Sequence, residues 1–110
     1  MRQQKWLNKN SKDLFRALAL IENPEVMAKF CRDLMTEPEL EALSGRWQVA
    51  QLLSKGFPQR EVSQKTKVSI ATVTRVNQWL ERGMGGYKKV LDLLNDNQNN
   101  SHHKTDLAVT

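Results

Sequence analysis

The side chains with most to offer a ligand stand between Gln59 and Gln78, in the run QREVSQKTKVSIATVTRVNQ. On a helix opened by Ser69, the residues Ile70, Ala71, Thr72, Thr74 and Arg75 turn outward near its N-terminal end. All but Arg75 are small or short enough to let such a helix enter a DNA major groove. Alanine and threonine methyls can meet a thymine methyl there, and threonine hydroxyls can reach base edges or phosphates. Cations that suit phosphates surround them. Residues 57–89 hold Arg60, Lys65, Lys67, Arg75, Arg82, Lys88 and Lys89 against only Glu61 and Glu81, so this segment carries the whole formal charge of +5. A basic block of that kind on a folded element fits a polyanion. The sequence therefore nominates Ile70, Ala71, Thr72 and Thr74 to meet the base edges of double-stranded DNA, with basic residues such as Lys67 and the helix N-terminus at Ser69 to hold its phosphates.

The elements that would position these residues form a helix-turn-helix over about 58–82. Val62 supplies the early apolar residue of the first helix, Ser63 the small residue at the crossing, and Val68 the apolar plug after the turn. Val73 and Val76, three apart, make the inward stripe of the second helix. Ser69 is a favoured N-cap for it. Lys67 holds the turn position where glycine is usual, and a lysine with positive φ is strained, which predicts a slightly opened turn.

Every other apolar run also has helical spacing, and none alternates as a strand would. Ser11 is the expected cap of a first helix with Leu14, Phe15, Leu18 and Ile21 inward. Asn23-Pro24-Glu25 starts a second, with an N-cap, proline at the first helical position and an acid at the positive dipole end. Thr36-Glu37-Pro38-Glu39 has the form of a capping box, and the helix it opens is expected to stop at Gly56. Ser44-Gly45 inside that helix predicts a close approach of another element. After the Gly83-Met84-Gly85-Gly86 break, Tyr87–Leu94 gives a closing helix. The expectation is an all-α domain of six helices over residues 1–94, followed by a polar, disordered tail over 95–110. The second helix has an unusually wide apolar set, Val26, Met27, Phe30, Cys31, Leu34 and Met35, and about 94 residues offer little interior to receive it. A partner subunit is the expected recipient.

Other classes of function find little support. Cys31 is alone, so neither an intramolecular disulfide nor a cysteine-rich metal module can form. His102-His103, adjacent in a polar tail, do not make a defined metal site. No apolar run has the length of a membrane span and the N-terminus lacks a signal peptide. No motif of nucleophilic, metal or phosphate chemistry occurs. The expected protein is cytoplasmic, not an enzyme, and without a cofactor.

The run Thr36-Glu37-Pro38-Glu39-Leu40-Glu41-Ala42-Leu43 with Arg46, then Gln59-Arg60-Glu61 and Ile70-Ala71-Thr72-Val73-Thr74-Arg75, resembles the Trp repressor superfamily. Trp6-Leu7, Asp13-Leu14-Phe15, Arg75-Val76-Asn77 and Gly85-Gly86-Tyr87-Lys88 resemble its YerC/YecD-type branch more closely. The resemblance implies a Trp-repressor-like fold, an intertwined homodimer whose N-terminal helices build one core, and a regulator whose second motif helix reads an operator half-site. By matched position it assigns Arg60, Ile70, Ala71, Thr72 and Thr74 to DNA.

It also implies an effector pocket. Arg46, Arg75 and Thr36 match residues with which the repressor grips tryptophan. The pattern departs at Val76, where the repressor has glycine, and at Trp79, where it has a serine for the ligand's amino group. An indole at that position crowds the ligand and removes a polar partner, so L-tryptophan is not expected to bind in the repressor's mode. Trp47 and Trp79 read as core packing. Arg46 and Arg75 then either pair with Glu39, Glu41 or Glu81 or hold a small anionic effector. The expected function is that of a homodimeric, sequence-specific transcriptional regulator on a palindromic operator, of repressor type. An adaptor for protein partners that keeps the helix-turn-helix as a scaffold is the alternative. A replication-initiator module is disfavoured because no nucleotide-binding domain is attached.

Overall fold

The computed structural model describes the backbone of residues 5–109 and the side chains of residues 5–97. Six helices follow one another: α1 (Lys9–Leu20), α2 (Pro24–Leu34), α3 (Glu37–Ser54), α4 (Gln59–Thr66), α5 (Ile70–Arg82) and α6 (Gly86–Val109). Among the described residues there is no strand, as the helical spacing predicts. The chain divides into two compact units, Met1–Glu41 and Ala42–Thr110.

In the first unit the helix starts are written by side chains. Asn8, and not Ser11, caps α1: its Oδ1 accepts from the Ser11 amide at 3.0 Å while the Ser11 hydroxyl accepts from the Asn8 amide at 2.8 Å. Ser11 is therefore the inner half of a reciprocal capping box, and the helix begins one turn earlier than expected. Asn23 caps α2 through bonds to the amides of Glu25 and Val26, with Pro24 at the first helical position, as the sequence predicts. Thr36 and Glu39 close the box at the start of α3, the Thr36 amide donating to Glu39 Oε1 at 2.9 Å and the Glu39 amide to Thr36 Oγ1 at 3.3 Å. An ionised carboxylate accepts such a bond more strongly than the neutral acid does, so the backbone bond from Thr36, helped by its side chain, holds Glu39 below the usual glutamate range.

The apolar faces of α1 and α2 are present but not buried. No residue of either helix is buried; Val26 is 52% and Leu34 46% exposed. Phe15 is half-exposed, with Trp6 tilted against it at 6.3 Å between ring centroids. An amphipathic helix keeps such a face by finding a second surface.

The second unit holds the interior. Val49 and Ala50 of α3, Val62 of α4, and Val73 and Val76 of α5 are fully buried. Trp47, Leu52, Leu53, Phe57, Val68, Leu80 and Tyr87 pack around them. Each buried valine stabilises the unit by roughly 1.5–3 kcal/mol relative to exposure. Gly45 allows α3 to come close to the turn after α4: a Cβ there would lie 3.3 Å from Val68 Cγ2, which is the close approach that Ser44-Gly45 predicts. α3 ends at Ser54, and Gly56 just past it is the stop that the sequence predicts. Gly56, with φ 96°, reverses the chain there while its amide and that of Phe57 bond the carbonyls of Leu53 and Leu52.

The final helix differs from expectation in its length. It runs from Gly86 to Val109, through the polar segment expected to form a tail from Asn95. Neither proline nor glycine occurs between Tyr87 and Val109 to stop it.

Candidate nucleic-acid interface

The helix-turn-helix is α4, the turn Lys67-Val68-Ser69, and α5. Lys67 adopts the left-handed conformation, φ 66° and ψ 12°, the one positive φ of a non-glycine residue among those described. The turn is thus tight, and the expected opening does not occur. Side-chain bonds hold it closed. The Ser63 hydroxyl donates to the Val68 carbonyl at 2.6 Å. The Thr66 hydroxyl donates to the Val62 carbonyl at 2.8 Å and accepts from the Val68 amide at 3.2 Å. The Lys67 amide closes α4 onto the Ser63 carbonyl. Thr66 supplies two of these bonds, and with Ser63 it offsets the strain at Lys67.

Ser69 caps α5 by accepting from the Thr72 amide at 3.2 Å, and its hydroxyl also donates to Thr72 Oγ1 at 3.1 Å. The helix phase is then fixed by Val73 and Val76, which point into the core. Ile70, Ala71, Thr74 and Arg75 fall on the opposite side and are exposed, with Thr72 half-buried beside the cap. Ile70 is half-exposed at 50%. Arg60 and Lys67 are exposed as well. Lys65 differs from them, since its ammonium sits 5.2 Å from the centroid of the Phe57 ring.

One member of this surface has no signal in the sequence reading. Gln59, the first residue of α4, accepts the Thr74 hydroxyl on its Oε1 at 2.8 Å, across fifteen positions of chain. An amide at the start of one helix and a hydroxyl on another become a pair only once the helices are packed.

The residues matched to an effector pocket divide between the two units. Thr36 belongs to the first, where its hydroxyl is engaged with Glu39. Arg46, Arg75 and Trp79 belong to the second. Within the second unit neither Arg46 nor Arg75 pairs with Glu81, and among the described residues the one ion pair is Arg32–Glu37 at 3.7 Å. Glu39 is held by Thr36, and Glu81 accepts weakly from Asn77 at 3.5 Å. Trp79 is 42% exposed rather than packed inside. It lines an apolar cleft of about 500 Å³ with Trp47, Gly83, Met84, Gly86, Tyr87 and Val90. Trp47 is half-buried and stacks on Tyr87, with centroids 6.3 Å apart and planes 11° from parallel. Partial burial raises the Tyr87 phenol, and the Arg46 guanidinium acts in the opposite direction.

Among the described residues no cluster of three or more His, Cys, Asp or Glu could hold a metal ion. Cys31 is a free, half-buried thiol. The side chains of His102 and His103 lie outside the described residues. No described helix is long and apolar enough to cross a membrane.

Three comparisons bear on this geometry. The profile of the Trp repressor protein family matches residues 9–95. The uncharacterised protein YerC of Bacillus subtilis (strain 168) is 29% identical over 104 residues, covering 94% of this chain and all of its own. A Trp operon repressor homologue of Chlamydia caviae is 33% identical over 84 residues, covering 76% of this chain and 83% of its own. Among solved structures, a TrpR-like protein from Eubacterium eligens superposes with a TM-score of 0.78 at 31% identity, over 83% of this chain and 94% of its own.

Proposed function

This chain belongs to the Trp repressor family, and from that premise we propose that it is a cytoplasmic, homodimeric, sequence-specific DNA-binding transcriptional regulator of repressor type. The observation that carries the proposal is the outward face of α5. Ile70, Ala71 and Thr74 stay open to solvent, with Thr72 half-buried beside the cap, while Val73 and Val76 anchor the same helix in the core. Arg60, Lys67 and Arg75, all exposed, add positive charge to the same motif. In this reading the cations and the N-terminal end of α5 hold phosphates, and the small side chains meet base edges. It requires no catalysis.

The half-exposed apolar faces of α1 and α2 support the dimer. An unpartnered Val26, Phe15 and Leu34 leave apolar area that a second subunit removes from water. Two reading helices related by twofold symmetry would sit about one helical turn apart, roughly 34 Å, and require a near-palindromic operator.

L-tryptophan is not the corepressor in this account. Trp79 stands at the chain position where the resemblance gives the repressor a serine for the ligand's amino group, and an indole there offers no acceptor for an ammonium. Arg46 and Arg75, without an ion-pair partner among the described residues, remain the groups for a small anionic effector. A calorimetric titration of the full chain should show no tryptophan binding at micromolar concentration, and such binding overturns this part.

Selection from random duplex DNA tests the main reading. A defined, symmetric motif is expected, with affinity falling by a slope of about −0.9 per neutralised phosphate as salt rises. The double variant Arg60→Ala, Thr72→Ala should lose that binding. A protein-interaction adaptor, which the exposed apolar cleft would also suit, would select no motif and keep its partner in the same variant.

A further inference from the structure

The Thr74 hydroxyl is not free to choose its role. Its proton is given to Gln59 Oε1 at 2.8 Å. A threonine hydroxyl has one proton and two acceptor lone pairs, so the oxygen that remains can only accept. The side chain is also branched at Cβ and therefore stiff on a helix, so one rotamer serves the bond. Gln59 stands at the first position of α4, half-buried, whereas Thr74 is exposed on the outward side of α5. Their bond thus links the two helices of the motif on the surface that carries Arg60 and Ile70.

Hydrogen-bond polarity matters at that surface. In the major groove, adenine N6 and cytosine N4 are donors, while guanine O6 and thymine O4 are acceptors. A fixed acceptor is complementary to the first pair and faces an unpaired acceptor in the second.

We propose that Gln59 is a positioning residue that sets the polarity of readout at Thr74, so that Thr74 accepts from the exocyclic amino group of adenine or cytosine and rejects guanine and thymine at that step. This rests on the DNA-reading function above. Ser69 and Thr72 form a similar hydroxyl pair, but within a single turn as part of the α5 cap. The Gln59–Thr74 bond is instead a tertiary contact whose loss leaves the Ser69 cap of α5 and the closure of α4 at Lys67 in place.

The experiment uses the full-length protein, its Gln59→Leu, Gln59→Glu and Thr74→Val variants, and the double variant Gln59→Leu, Thr74→Val. Each is carried through selection from random duplex and then competition at the position that Thr74→Val alters. One competing duplex carries a purine lacking the 6-amino group at that position. The unsubstituted protein should prefer an amino-bearing base there by roughly threefold to tenfold, the scale of one net hydrogen bond. Gln59→Leu should erase that preference and leave the other positions of the motif unchanged. Gln59→Glu, which keeps an acceptor for the Thr74 proton, should retain the preference while binding all sequences more weakly. The double variant should match Thr74→Val alone.

Retention of the original preference by Gln59→Leu overturns the inference. So do a guanine or thymine preference at that position, additive losses in the double variant, or a Thr74→Val motif identical to the original. An unsubstituted protein that selects no sequence removes the DNA-reading function itself. A defined motif left intact by Gln59→Leu removes only the role of Gln59.

Discussion

Replacing Lys67 with glycine should make the protein more stable and a weaker DNA binder at the same time. Lys67 sits at φ 66° and ψ 12°, a conformation that costs an L-residue about 1–2 kcal/mol. Glycine removes that cost but gains freedom in the unfolded chain worth about 0.4–1 kcal/mol. The net expectation is a stabilisation of about 0.5–1 kcal/mol. For a domain of this size that raises Tm by roughly 3–6 °C at fixed protein concentration. The turn should survive, because its bonds come from Ser63, Thr66 and the backbone amide at position 67, none of which is removed. The lost ammonium should reduce the magnitude of the salt slope by about 0.9 if it meets a phosphate. Lys67→Asn, which tolerates the left-handed region but keeps a Cβ, should fall between lysine and glycine in stability and match glycine in salt slope. Thermal melts at several protein concentrations and salt titrations of duplex binding measure the two effects separately. A Tm that is unchanged or lower in Lys67→Gly refutes the argument that this turn stores strain.

Other substitutions address separate parts of the account. Ser63→Ala leaves the half-buried Val68 carbonyl without its 2.6 Å partner and should destabilise by about 1–2 kcal/mol in urea unfolding. Asn8→Ala should cost about 1 kcal/mol and speed amide exchange at the start of α1 only, whereas Ser11→Ala should produce a smaller effect there. Carboxyl NMR should find Glu39 titrating below the usual glutamate range, and Thr36→Val should move it upward. Because the folded-state value is depressed, the stabilisation is present above the unfolded-state pKa and is lost as pH falls through the lower folded one. Phe15→Glu places a charge on the uncovered face of α1 and should shift sedimentation from dimer to monomer.

The second unit was largely legible from residue types. Val62, Val73 and Val76 are buried because valines at those spacings leave a helix only one way to face a core. Ser69 caps α5 because a serine before an apolar-periodic run satisfies orphan amides without tertiary help. Local chemistry failed where two solutions competed. Asn8 and Ser11 are both good caps, and only the reciprocal bond selects the earlier one. At Lys67 residue type speaks only for strain, whereas the turn stays closed through the Ser63 and Thr66 bonds that oppose it.

Long-range consequences were the least legible. The apolar set of α2 is correct as a face, yet no residue of it is buried, since periodicity says which side is apolar and not what covers it. Trp79 looked like core by composition but lines an open cleft. The Gln59–Thr74 pair could not be read at all, because fifteen residues and a tertiary packing angle separate the partners.

Hydroxyl-radical footprinting of the full-length protein on its selected duplex joins the regulator and the dimer in one measurement. The account predicts two equivalent protected patches, related by twofold symmetry and centred roughly 10 base pairs apart, both absent with Arg60→Ala, Thr72→Ala. A single patch, or uniform protection indifferent to sequence and to those substitutions, contradicts it.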